Sequence, residues 1–305
     1  MCVLPRCVLT PEFVSQAGYY DIGLACGVES MSQDPMKLDD TSINPKVFDN
    51  THARGCLVPM GITSENVAAR FGVSRVQQDA LAVASHAKAD RARSSGRFKD
   101  EIVPVRTMVK DPKTGDVTEV TVSEDDGIRA GVTAEQLAKL APAFKKGGST
   151  TAGNSSQVSD GAAAVVVARR STAQKMGLPV LGVWRSFAAV GVDPQVMGIG
   201  PAVAIPKALD AAGLSVDDIA LYELNEAFAS QATYCQQVLR LPADRINVNG
   251  GAIALGHPLG ATGARCVATL LSEMKKRGPQ ARYGVISMCI GSGMGAAAVI
   301  ERGDM

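Results

Sequence analysis

A block of small residues, Gly161-Ala162-Ala163-Ala164-Val165, returns as Gly295-Ala296-Ala297-Ala298-Val299. Each copy runs into an Arg-containing tail, Ala168-Arg169-Arg170 in one case and Ile300-Glu301-Arg302 in the other. A second match sets Tyr20-Asp21-Ile22-Gly23-Leu24-Ala25-Cys26-Gly27 against Tyr283-Gly284-Val285-Ile286-Ser287-Met288-Cys289-Ile290-Gly291, with the Cys six residues after the Tyr in both. Repetition on this scale implies one structural unit used twice. Small residues clustered with Val and Ile suit closely packed α/β layers. We therefore expect a duplicated α/β fold with halves at 1–170 and 178–302. The halves are unequal: 19 residues precede Tyr20, whereas the second half has over 100 before Tyr283. The first half is expected to be incomplete, without its opening strands and helices.

Residues 35–150 are charged and mixed in character and read as an insertion into the first half. Within it, residues 64–96 predict two consecutive helices. Ser74 and Gln77 have the spacing of a capping box, and Ala80, Leu81, Ala84 and Ala87 form a helical stripe. Residues 102–122 predict a strand pair, with the turn at Asp111-Pro112-Lys113-Thr114-Gly115-Asp116 and β-branched Val117, Val120 and Val122 after it.

Composition narrows the function. The net charge is +1, which supplies no field for nucleic acid or an anionic membrane. No apolar run approaches the roughly 18–20 residues of a membrane helix. The seven cysteines are scattered, odd in number and without a CxxC pair, so neither a disulfide framework nor a structural metal site is expected. The N-terminal apolar stretch is broken by Pro5, Arg6 and Pro11, unlike a signal peptide, and Gly303-Asp304-Met305 is not a Ser-Lys-Leu type address.

Three segments can carry chemistry. His257 follows Asn249-Gly250-Gly251-Ala252-Ile253-Ala254-Leu255-Gly256 and precedes Pro258. The glycines allow close backbone approach to a ligand, and Pro258 suits the first turn of a helix. A His there would feel the positive dipole end and stay neutral, able to act as base or donor; the plainer alternative is a His that caps the helix. Cys289 lies in Ser287-Met288-Cys289-Ile290-Gly291-Ser292-Gly293, where a strand entering a Gly-rich turn exposes a thiol and offers N–H groups to an oxyanion. An inert buried Cys fits the same pattern. Asn225, in Glu223-Leu224-Asn225-Glu226-Ala227-Phe228, could orient a water or an imidazole, or could be an ordinary cap. Of the other histidines, His86 falls mid-helix and reads as structural.

Together these segments are far more specific. With Thr151-Ala152-Gly153-Asn154-Ser155-Ser156, Asn225-Glu226-Ala227-Phe228-Ala229, Gly256-His257-Pro258 and Cys289-Ile290-Gly291-Ser292-Gly293, the chain resembles the thiolases from about Tyr20 to Arg302, most closely the peroxisomal 3-ketoacyl-CoA thiolases. The resemblance implies a duplicated αβαβα fold with a loop domain at about 33–150. It implies acyltransferase activity: thiolysis of 3-ketoacyl-CoA to acetyl-CoA and a shortened acyl-CoA in fatty-acid β-oxidation. Cys289 would be the acid/base at the α-carbon of acetyl-CoA. His257 would activate a nucleophilic Cys and hold the thioester oxygen, Asn225 would fix a water in that oxyanion hole, and the Gly291 N–H would belong to a second hole. Arg129, Ser156 and Met60 match coenzyme A contacts, with Pro59 where some relatives have His. Coenzyme A would be a co-substrate, with no permanently bound cofactor and no metal; a homodimer and a peroxisomal location follow from the resemblance alone. The condensing enzymes share the duplicated fold, but Asn225-Glu226-Ala227-Phe228 and Cys289 favour thiolase. Acetoacetyl-CoA thiolase is the nearest alternative activity.

The chain departs from the family at one point. The nucleophile belongs in a Cys-Ser-Ser-Gly-like stretch about 20 residues before Tyr20. Neither Cys2 nor Cys7 is followed by Ser-Ser-Gly, and Pro5 and Pro11 would interrupt the helix expected there. Two readings follow. Either the sequence is a truncated record of an active thiolase, or it is a short product that does not turn over and binds coenzyme A or pairs with a full-length subunit.

Overall fold

The computed structural model describes residues 17–33 and 43–303. Cys2 and Cys7 lie outside the described residues, as does the start of the predicted insertion. No described helix is long and apolar enough to cross a membrane.

The repeated segments form two antiparallel strand pairs. In the first half β1 (Ile22–Glu29) pairs with β4 (Gly161–Ala168). In the second, β7 (Tyr283–Ile290) pairs with β8 (Met294–Arg302), and β5 (Gly182–Gly191) and β6 (Leu221–Leu224) complete a sheet of order β5-β8-β7-β6. Only β6 runs parallel to its neighbour. The two sequence matches do not correspond residue by residue. Cys26 sits opposite Ala164, the fourth residue of its block, whereas Cys289 sits opposite Gly295, the first. The pairing is repeated, but its register differs by three residues, so Cys26 is not the structural counterpart of Cys289. Cys26 is also exposed, whereas Cys289 is buried.

Among the described residues five helices exceed ten residues: α1 (Met60–Phe71), α2 (Arg75–Ser94), α3 (Gly200–Ala212), α4 (Ala229–Leu239) and α5 (Thr262–Arg277). Helix α3 covers one face of the larger sheet. Its Ala204, Ile205, Ala208 and Leu209 pack with Val285, Ala297 and Val299. Helix α5 covers the other face through Cys266, Val267, Leu270 and Met274, which meet Ile286, Met288, Ala298 and Ile300. The same helix touches Ala25, Val165 and Val167 of the smaller sheet. Full burial of a Leu or Met contributes about 1.5–3 kcal/mol, so α5 is the joint that binds the halves. The described layers are therefore α3, large sheet, α5 and small sheet, four of the five expected. The outer face of the small sheet carries Leu24, Val28 and Val166, which are 63%, 73% and 63% exposed.

The repeated Gly has a packing reason. A Cβ at Gly295 would lie 2.2 Å from the Gly200 carbonyl group, backbone that cannot move aside. This close approach lets α3 start directly against β8.

The insertion follows its sequence pattern. Helices α1 and α2 are separated at Gly72, which has φ +70°. Both hydrogen bonds of the Ser74–Gln77 capping box are present. Strands β2 (Val105–Lys110) and β3 (Val117–Val122) pair across the Asp111–Asp116 turn. His86 is buried in the middle of α2, where its Nδ1 accepts the Arg129 N–H at 3.2 Å.

Candidate active site

Asn225 leaves the end of β6, and its N–H donates to the Ser287 carbonyl of β7 at 2.9 Å. The parallel register Leu224↔Ser287 therefore carries Asn225 alongside the segment that ends in Cys289. Helix α4 begins only at Ala229, with Phe228 at its cap, so Asn225 is not a helix cap. Its side chain turns inward, with Nδ2 3.2 Å from His257 Nε2. Asn225 is 1% exposed, and its Oδ1 has no hydrogen-bond partner among the described residues. A buried amide oxygen left unpaired is costly, which suits a position reserved for water or substrate.

His257 does not open a helix. A one-turn helix, Ala252–Leu255, ends before it, and α5 begins at Thr262. The expectation that Pro258 starts the helix fails because residues 258–261 form a turn, with the Pro258 carbonyl accepting the N–H groups of Ala261 and Thr262. The dipole cannot then be what keeps the ring neutral. Burial does so first and the Arg265 charge second, and together they hold His257 down at about 4. The ring is fixed at Nδ1 by Thr262 Oγ1 at 2.7 Å, and its backbone N–H donates to the Gln157 carbonyl. Gly256, at φ +93°, sets the chain direction, and a Cβ there would strike Ser159 Oγ.

The supporting contacts converge from both halves. The Glu226 carboxylate accepts from Ser85 Oγ at 2.6 Å, Asn247 Nδ2 at 2.8 Å and Ile253 N at 3.3 Å. Burial pushes this carboxyl above its usual range, and those donors pull it back. Glu29, at the end of β1, accepts the Gly260 N–H at 2.9 Å and so pins the turn after His257. Gln157 Nε2 lies within 2.9–3.1 Å of the carbonyls of Gly127, Ile253 and Ala254.

Cys289 is 8% exposed, one residue from the end of β7. The turn beyond it runs through Ser292 and Gly293, both at positive φ, and a Cβ at Gly291 would meet nothing within 4 Å. There is room above that turn for a ligand. Ser156 is held beside the Asn225 segment, its N–H donating to the Ala227 carbonyl. Arg129 is exposed, two residues from Gly127, so Gln157 ties its segment to the His257 loop. Met60 opens α1, half-buried, with no hydrogen bond to the His257 loop. Gln157 and Thr262 carry no local sequence pattern. Only the five-residue step from His257 across a helix start points to Thr262.

The neutral, buried His257 has a consequence for stability. Its unfolded-state pKa is about 6.5 and its folded value is lower, so the folded state binds fewer protons. The stabilising contribution is complete above pH ~6.5 and is lost as pH falls toward about 4. The shift corresponds to about 3 kcal/mol. Urea titrations at pH ~7.5 and ~4 are expected to show wild type losing about 3 kcal/mol more than His257→Gln. Equal losses in the two proteins would show that His257 is not held neutral.

The sequence matches the thiolase N-terminal domain over residues 14–171 and the thiolase C-terminal domain over residues 178–302. It is 65% identical over 289 residues to 3-ketoacyl-CoA thiolase 2, peroxisomal, of Arabidopsis thaliana, covering 95% of this chain and 62% of that protein. It is 63% identical over 284 residues to the peroxisomal 3-ketoacyl-CoA thiolase of Homo sapiens, covering 93% and 66%. The chain thus spans less than two thirds of the length of each of these relatives. The crystal structure of the dimeric peroxisomal thiolase of Saccharomyces cerevisiae superimposes with a TM-score of 0.88 at 49% identity, covering 97% of this chain and 73% of that one. Human mitochondrial 3-ketoacyl-CoA thiolase in complex with CoA gives 0.87 at 36% identity, covering 99% and 76%. The chain belongs to the thiolase family.

Proposed function

We propose that this chain carries the acid/base and oxyanion half of an acetyl-CoA C-acyltransferase that cleaves 3-ketoacyl-CoA with coenzyme A during fatty-acid β-oxidation. The observation that carries the reading is the buried Asn225–His257 contact set beside the strand that carries Cys289. Cleavage breaks the bond between the α- and β-carbons, and the electron pair goes to the α-carbon of the departing acetyl-CoA. Its thioester oxygen takes up negative charge, met by the His257 ring once protonated and by a water held at Asn225. The Cys289 thiol then protonates the carbon. A thiol with an ordinary pKa of about 8.5 suits that transfer at neutral pH. The Gly291 N–H serves the second oxyanion hole, and Arg129, Ser156 and Met60 contact coenzyme A, the co-substrate. The relatives' names support a peroxisomal location, and the dimeric yeast structure supports a homodimer.

Covalent capture of the acyl group needs a second thiolate. No cysteine in the 305 residues is followed by Ser-Ser-Gly. The purified chain is therefore expected to bind coenzyme A without thiolysing acetoacetyl-CoA or longer 3-ketoacyl-CoA. Thioester absorbance in a steady-state assay checks this. Turnover that persists after both Cys2 and Cys7 become Ser would remove the case for a missing nucleophile.

A further inference from the structure

We infer that Thr262 is a positioning residue that sets the tautomer of His257, keeping the proton on Nδ1 and leaving Nε2 as the free base. Thr262 is fully buried, with its Oγ1 between two groups, 2.7 Å from His257 Nδ1 and 2.8 Å from the Pro258 carbonyl oxygen. A hydroxyl has one hydrogen to give. A carbonyl oxygen can only accept, and at 2.8 Å two oxygens facing each other with lone pairs alone would repel. The Thr262 hydroxyl therefore donates to Pro258, although that carbonyl also receives the N–H groups of Ala261 and Thr262. What Oγ1 offers the ring is a lone pair, and only an Nδ1–H can use it.

The other side of the ring agrees. Asn225 Nδ2 is a donor 3.2 Å from Nε2, and an Nε2–H would set two hydrogens against each other. With the proton on Nδ1, the sequence of donors runs from Asn225 to the ring, from the ring to Thr262, and from Thr262 to Pro258. The helix supplies the geometry. Thr262 is the first residue of α5, so its hydroxyl reaches back to the carbonyl four residues earlier. The base thus faces Asn225 without prior rearrangement. After taking a proton the ring has an N–H on each side, and Asn225 Nδ2, itself a donor, must then give way to the thioester oxygen as the partner of the Nε2–H. The inference deepens the function proposed above, but its readout involves no coenzyme A. The tautomer can stand or fall independently of the thiolase chemistry.

The test is a long-range ¹⁵N–¹H correlation spectrum of the uniformly labelled 305-residue chain at neutral pH. His257 is distinguished from His52 and His86 by the cross-peaks lost in His257→Asn. The expected wild-type pattern is a pyrrole-type Nδ1 and a pyridine-type Nε2. Thr262→Ser is expected to keep it. Thr262→Val, shown to be folded by its circular dichroism and melting, is expected to lose it, with the proton moving wholly or partly to Nε2 as the Asn225 amide turns its Oδ1, which lacks a hydrogen bond among the described residues of the wild type, toward the ring. If the valine variant does not fold, Thr262→Cys replaces it, its thiol being a poor acceptor, with the same loss expected. A wild-type Nε2–H pattern would overturn the inference. So would an unchanged Nδ1–H pattern in a folded valine or cysteine variant, or its loss in Thr262→Ser.

Discussion

Arg265→Leu is expected to destabilise the fold by about 3 kcal/mol, one of the two largest effects foreseen for a single substitution. Arg265 lies on α5 and reaches Glu223 of β6 at 3.1 Å. Burial works against its charge, while the acidic side chains of Glu223, Glu101 and Asp125 favour it. Glu223 pairs with the guanidinium directly, and Glu101 and Asp125, the latter exposed at the surface, feel its charge without a direct contact. Burial is also the first cause that pushes Glu223, Glu101 and Asp125 upward, with Arg265 pulling each of them back. Leucine would leave them uncompensated. Breaking a buried pair costs about 3–5 kcal/mol, and the lower end applies because 23% of the Arg265 side chain remains exposed. Carboxyls whose folded pKa is raised lose stability as pH rises through that value. The deficit should therefore be larger at pH ~8 than at pH ~5, as read from urea midpoints. A loss below about 1 kcal/mol, as for a surface pair, would mean that the cluster is well solvated.

Arg265 also joins stability to the site. It is the second cause of the low His257 pKa, after burial. Its partner Glu223 lies two residues before Asn225 on the same chain segment. The charge that fixes α5 on β6 thus also helps keep the imidazole neutral.

The repeat and the insertion were legible because short-range rules dominate there. The Ser74–Gln77 box, the Asp111 turn and the small-residue strands all form where their local patterns place them. Asn225, His257 and Cys289 could be picked out, and a contact and a strand register bring them to one region. The offset of three residues between the pairs was hidden, because register depends on how each pair packs, both against α5, and only β7 and β8 are joined by a short turn. The start of α5 was also misplaced. Pro258 is compatible with a first helical turn, but the contacts of Glu29 with Gly260 and of Thr262 with His257 hold a turn there instead. Thr262 and Gln157 act through groups distant in sequence or across a helix boundary, which no periodicity encodes.

The most direct test of the central claim uses acetyl-CoA in deuterated buffer. If Cys289 moves the α-proton and the Asn225–His257 pair holds the thioester oxygen, the chain needs no second thiolate for this partial reaction. The methyl C–H bond breaks with its proton passing to the Cys289 thiolate. The thiol exchanges with solvent, and a deuteron returns to the same carbon. Mass spectrometry of recovered acetyl-CoA is expected to show deuterium incorporated faster than in buffer. Positioned general acid–base groups contribute about 10²–10⁴-fold, and Cys289→Ala should lose an acceleration of that order. Incorporation at the buffer rate by a chain that demonstrably binds acetyl-CoA, or incorporation unchanged in Cys289→Ala, would contradict the account.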